Sequence, residues 1–75
     1  MKYRVVFEFQ SEDSSMSDVY NCKDEDQARE KFDELQDSLV HAIDPAGCEV
    51  TDEPAFYCVI NREQGICGYV RLLAD

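Results

Sequence analysis

DEDQAREKFDELQDSLVHAI, residues 24–43, is the most informative segment for the fold because it has the pattern of one amphipathic helix. Asp24 suits the N-cap, and Gln27 three residues later completes a capping-box pattern. Pro45 disfavours helical geometry in the residue before it, which ends the helix. We therefore predict a helix over about residues 25–43. Apolar residues recur along it in steps of three and four, as expected for a stripe packed on a sheet: Ala28, Phe32, Leu35, Leu39, Ala42 and Ile43.

Segments on both sides of this helix have the composition and apolar pattern of strands. Two precede it and three follow it: KYRVVFEFQ (2–10), MSDVYNC (16–22), CEVTD (48–52), AFYCVIN (55–61) and ICGYVRLL (66–73). Polar or glycine-containing connections separate neighbouring strands, as in antiparallel hairpins. The order ββαβββ predicts a single α+β domain over residues 1–75. Its mostly antiparallel β-sheet would carry one amphipathic helix packed on it.

The charge balance restricts the classes of partner. The 75 residues include 17 acidic and 7 basic side chains, for a net charge of −10. Residues 8–37 hold eleven acids and three bases, so −8 of that charge lies in the first hairpin and the helix. Such a field repels nucleic acid and anionic membranes, and we expect direct binding to neither. It attracts basic surfaces, including those with which proteins hold DNA or RNA.

The sequence contains no motif of a catalytic or cofactor site, so we expect neither an enzyme nor a cofactor. The only histidine, His41, has no cysteine in a nucleophile context beside it. DEDQARE lacks the alternating ligands and central glycine of an EF-hand, and no glycine-rich phosphate loop is present.

The four cysteines are not spaced as C-x-x-C, and we expect reduced structural thiols without a metal. They are Cys22, Cys48, Cys58 and Cys67. A small redox or metal protein built on them remains an alternative.

No apolar run reaches the roughly 20 residues that span a bilayer, and the apolar pattern of the N-terminal segment is interrupted by polar residues. We therefore expect a cytoplasmic protein whose mature chain begins at Met1.

One face of the predicted helix carries a band of carboxylates opposite the apolar stripe. This acidic band consists of Asp26, Glu30, Asp33, Glu34 and Asp37. It extends over about 16 Å, or about one charge per 3.3 Å of helix axis, close to the one charge per ~3.4 Å of axis that a single DNA strand carries. We expect it to bind a basic surface, with additional contacts from Glu12, Asp13 and Asp18. An exposed helix face is also commonly charged without having a partner, and this interpretation stays open.

Aromatic residues of the last two strands suggest a different surface. Tyr57, Val59, Tyr69 and Val70 cannot all face a single helix, so Tyr57 and Tyr69 are candidates for an apolar docking surface. Such a surface would suit a structural or homo-oligomeric module, and a homodimer is possible. Ordinary core packing is the competing interpretation.

In size, charge and lack of catalytic motifs, the whole chain resembles small acidic inhibitors encoded by phages and mobile elements. These include anti-CRISPR proteins and DNA mimics that disable host nucleases. The resemblance implies a protein that blocks the basic nucleic-acid-binding surface of a nuclease or CRISPR effector in the host-cell cytoplasm. It rests on class properties and assigns no role to any single residue.

Overall fold

The computed structural model describes residues 2–74 and has the strand and helix order predicted from the sequence. The elements are β1 (Tyr3–Gln10), β2 (Ser15–Cys22), α1 (Glu25–Ala42), β3 (Glu49–Glu53), β4 (Phe56–Asn61) and β5 (Ile66–Ala74). The prediction of an α+β fold with one helix on an antiparallel sheet is confirmed.

All five strands form one antiparallel sheet in the order β2-β1-β5-β4-β3. The first and last strands of the chain pair at its centre, where Phe7 lies opposite Val70. On its other side β1 pairs with β2, and Val5 lies opposite Tyr20. Strands β2 and β3 are therefore the two edges of the sheet.

Helix α1 covers one face of the sheet and forms the core with it. The alternation of strand side chains places one set beneath the helix and the other on the opposite face. The buried residues are Val5, Phe7, Ala28, Phe32, Leu35, Leu39, Ile43, Tyr57, Val59 and Val70. Five of the six residues in the predicted helix stripe are in this core, whereas Ala42 is exposed. Ala42 lies instead on the wall of an open cavity between α1 and the sheet.

Both ends of the helix are closed by hydrogen bonds. Asp24 Oδ1 accepts a bond of 2.8 Å from the backbone N–H of Gln27, which confirms Asp24 as the N-cap. Gln27 Oε1 accepts a 3.1 Å bond from the N–H of Lys23, one residue before the position used in the standard capping box. At the other end, the N–H of Ile43 donates to the carbonyl oxygen of Leu39 at 2.8 Å. The helix therefore has a fixed length, which positions its outer face relative to the sheet.

Within residues 2–74, no helix has the length and apolar character needed to cross a membrane.

Candidate functional site

The acidic band lies on the solvent side of α1. At about 100° per residue, its centre is roughly 180° from the stripe formed by Ala28, Phe32, Leu35 and Leu39. All five carboxylates are exposed in the folded chain. Because the helix packs through its opposite face, none of residues 2–74 covers the band.

Few cations neutralise these carboxylates. Lys31 Nζ lies 3.4 Å from Glu34 Oε2, and His41 Nδ1 lies 3.8 Å from Asp37 Oδ1. Among residues 2–74, no ion pair joins a base to Asp26, Glu30 or Asp33. The contact with Glu34 is exposed and of the kind that contributes little to stability. The band therefore keeps most of its negative charge.

Arg29 is directed towards the sheet, whereas the ammonium of Lys31 contacts both Tyr20 on the sheet and Glu34 of the band. Arg29 donates a hydrogen bond from Nη1 to the carbonyl oxygen of Pro54 in the β3–β4 turn. The ammonium of Lys31 lies 4.7 Å from the ring centroid of Tyr20 on β2, which is a cation–π geometry. Because Arg29 bonds to the β3–β4 turn and Lys31 reaches the band only at Glu34, the outer face of the helix is mostly anionic.

The three additional acids predicted to join the band occupy other parts of the fold. Glu12 and Asp13 are in the β1–β2 turn, where Glu12 lies beside Gly65 of the β4–β5 loop. Asp18 is on edge strand β2 and faces the helix side of the sheet. The carboxylates of α1 thus form one surface, while Glu12 and Asp13 belong to one end of the sheet and Asp18 to its edge.

Tyr57 is part of the core and not of an outer surface. It is 4% exposed and lies opposite Val70 on the face that α1 covers. Burial raises the pKa of its hydroxyl, and the nearby Asp52 and Cys48 add to this effect. The hypothesis of an apolar docking surface that includes Tyr57 is therefore incompatible with its position. The register explains this, because Tyr57, Val59 and Val70 all point towards the helix.

Tyr69 lies on the opposite, uncovered face of the sheet. The ring centroid of Tyr69 is 5.9 Å from that of Phe56. The guanidinium carbon of Arg71 is 5.7 Å from the Tyr69 centroid. The pKa of Tyr69 is raised, first by burial and then by its hydrogen bond to Glu8 and the charge of that carboxylate; Arg71 opposes the shift. Tyr69 is half-buried by its neighbours on the sheet, yet it remains on an outer face.

The four cysteines are unpaired in the structure. Burial raises the pKa of the Cys58 thiol, and Cys67 on the neighbouring strand contributes to the shift. In the part of the chain that is described, residues 2–74, no three His, Cys, Asp or Glu side chains are grouped so that they could hold a metal ion.

A comparison of the chain with protein-family models, curated proteins and solved structures finds no match.

Two features near β2 were not predicted from the sequence. One is the contact of Lys31 with Tyr20. The other is an open cavity of about 320 Å³ between α1 and the strands β1 and β2. Its wall is mainly apolar and consists of Phe7, Phe9, Met16, Asp18, Tyr20, Leu35, Ser38 and Ala42. The only signal in the sequence was that Met16 and Val19 are on opposite faces of the same short strand, so that one of them had to lie outside the core.

Proposed function

We propose that this protein is a small acidic inhibitor that binds the basic nucleic-acid-binding surface of a nuclease or CRISPR effector. In this proposal it acts in the host-cell cytoplasm as an anti-CRISPR-like DNA mimic. The observation that supports it most directly is the acidic band of α1, which is exposed along its whole length and, among residues 2–74, has an ion-pair partner at only two of its five carboxylates.

The rigidity of the band favours this function over simple solubility. The carboxylates are attached to a capped helix that packs through four buried residues, so the spacing of their Cα atoms is fixed before any partner arrives. A pre-ordered set of charges loses less conformational entropy on binding than charges on a flexible tail. A partner that grips phosphates with Lys and Arg would find a comparable number of anions per unit length of the helix axis.

Inhibition requires no chemistry in this proposal, because a ligand that occupies the basic groove excludes the nucleic acid. The association would be steered by long-range electrostatics and would therefore be fast at low ionic strength. Added salt would weaken it, because the Debye length falls to about 8 Å at physiological ionic strength. The orientation is also defined: α1 faces the partner, and the sheet faces solvent.

The test is displacement of labelled DNA from a panel of purified nucleases and CRISPR effector complexes. The helix variant replaces Glu30, Asp33 and Asp37 by lysine. A matched control replaces Asp52, Glu53 and Glu63, which lie outside the helix, by lysine. Each triple variant changes the net charge by +6, from −10 to −4, so overall charge is the same in both.

We expect the native protein and the control variant to displace DNA from at least one member of the panel, and the helix variant to fail. The displacement should weaken between about 50 and 200 mM salt. Undiminished displacement by the helix variant, or equal loss in both variants, would reject the acidic band as the binding surface.

A further inference from the structure

The two edges of the sheet differ in how they are protected against pairing with another strand. Edge strand β3 has five residues, and three of them are acidic: Glu49, Asp52 and Glu53. Edge strand β2 has eight residues and one acid, Asp18. Charged side chains and short length are the usual means by which proteins protect an edge. By this criterion β3 is protected and β2 is open.

Strand β2 also exposes apolar side chains on both faces of the sheet. Met16 is 53% exposed on the helix side, and Val19 is 55% exposed on the opposite side. An edge strand leaves unpaired N–H and C=O groups that can template a further strand. Exposed apolar residues on both sides would add side-chain contacts to such a pairing.

We infer that β2 pairs with β2 of a second copy of this chain, antiparallel and about a two-fold axis at Val19. Residues opposite each other in an antiparallel pair point to the same face of the sheet. The position of the axis therefore determines which residue of the second copy lies opposite each residue of β2. The resulting pairs are Val19–Val19, Asp18–Tyr20, Ser17–Asn21 and Met16–Cys22. No two like charges are opposite each other. A two-fold axis at Asp18 would instead place the two Asp18 carboxylates against one another.

The axis at Val19 continues an apolar row that already exists within one copy. Val19 lies opposite Val6 of β1. Across the axis the row becomes Val6–Val19–Val19–Val6, which is the kind of cross-strand β-branched pairing that stabilises sheets.

The helix side of the same pairing is complementary in charge. Lys31 lies 4.7 Å from the ring centroid of Tyr20. With the axis at Val19, the residue directly opposite Tyr20 is Asp18 of the second copy. Directly opposite Cβ atoms are about 4.5–5.5 Å apart, so the carboxylate of Asp18 would come within reach of the Lys31 ammonium. Within residues 2–74 of one copy, no ion pair involves Asp18. The two-fold axis forms this contact twice.

The product is a dimer with one continuous ten-stranded sheet, which carries both helices on the same face. The inference does not depend on the proposed function. The dimer would nevertheless present two acidic bands on one side of the assembly. The interface is small, so we expect association in the micromolar range rather than a permanent dimer.

The first experiment measures mass by analytical ultracentrifugation over a range of protein concentrations. Val19→Lys places two ammonium groups against each other at the axis, and Val50→Lys makes the same change on the other edge strand, where Val50 is 44% exposed. We expect the native protein and Val50→Lys to dimerise, and Val19→Lys to weaken dimerisation at least tenfold. Circular dichroism of both variants verifies that each is folded.

The second experiment exchanges the charges of the proposed pair. Asp18→Lys and Lys31→Glu should each dimerise about tenfold more weakly than the native chain, because each homodimer then has two like-charge contacts. An equimolar mixture of the two variants should regain dimerisation, since both contacts of the mixed dimer are again of opposite sign. Contacts within one chain cannot produce this rescue.

A native protein that is monomeric throughout the concentration range would overturn the inference. So would a dimer that persists in Val19→Lys, or a mixture without rescue. Dissociation by Tyr69→Glu but not by Val19→Lys would show instead that the uncovered sheet face is the interface. None of these outcomes requires DNA or a nuclease, so failure here is separate from failure of the proposed inhibition.

Discussion

Leu39 of α1 packs directly on Gly68 of β5, so closely that a Cβ atom added at Gly68 would lie 2.5 Å from Leu39 Cδ1. The same Cβ would be 3.0 Å from the backbone oxygen of Glu8 on the neighbouring strand. Leu39 is 0% exposed. The missing side chain on the central strand therefore sets how closely the helix, and with it the acidic band, approaches the sheet.

We expect Gly68→Ala to destabilise the protein by about 1–3 kcal/mol through overpacking. Leu39→Ala should cost about 2–5 kcal/mol, because it removes a fully buried side chain. The double variant should cost less than the sum of the two, since the smaller residue at 39 makes room for the new methyl group. Urea unfolding of the four proteins measures this coupling, and strict additivity would contradict the contact.

The N-cap provides a second prediction. Asp24→Ala removes the acceptor for the N–H of Gln27 and should cost about 0.5–2 kcal/mol in unfolding free energy. Asp24→Ser keeps a capping oxygen and should retain most of the stability. If the two substitutions prove equally destabilising in urea, the hydrogen bond of the cap is not what stabilises the start of the helix.

Salt should stabilise the fold. Five carboxylates repel one another on one face of α1, and added NaCl screens that repulsion. A gain of about 1 kcal/mol would raise the thermal midpoint by roughly 4–8 °C in a domain of this size. The midpoint of the Glu30, Asp33 and Asp37 to lysine variant should depend less on NaCl, and a steeper dependence would refute the explanation.

Stability should fall at alkaline pH because of the tyrosines. The pKa values of Tyr57 and Tyr69 are raised above the ordinary 10.0 in the folded protein, so deprotonation favours the unfolded chain. The contribution of these two hydroxyls to the unfolding free energy is complete below about pH 10. It is lost as the pH rises through their pKa values in the folded protein. Tyr57→Phe, which keeps the ring, should reduce the loss of unfolding free energy at high pH. An unchanged pH profile would contradict this assignment.

The thiol of Cys58 should react slowly. Its raised pKa leaves less thiolate at a given pH, and the thiolate is the reactive form. Alkylation followed by peptide mass spectrometry should therefore show that Cys58 reacts more slowly in the folded than in the unfolded protein. The same alkylation experiment counts the free thiols. If a chelator released a bound metal from the native protein, the alternative of a metal protein would be supported.

The helix and its acidic band were predictable because the information is local. The steps of three and four residues from Ala28 to Leu39 determine the buried stripe, and the same periodicity places the carboxylates opposite to it. Asp24 and Gln27 act within one turn of the chain, which is why the start of the helix was predicted at Glu25. Strand segments could be located for the same reason, from alternation along a few residues.

The positions of the helix and the strands could be predicted from local sequence patterns, and so could the row of acids on one helix face. The three-dimensional structure was needed to establish the strand order, the burial of Tyr57, the outward position of Tyr69 and the contact of Lys31 with Tyr20. These features depend on which strands pair and in which register, and β1 and β5 come from opposite ends of the chain. Pairing of distant segments is governed by the packing of the whole sheet against the helix, which short-range periodicity does not encode.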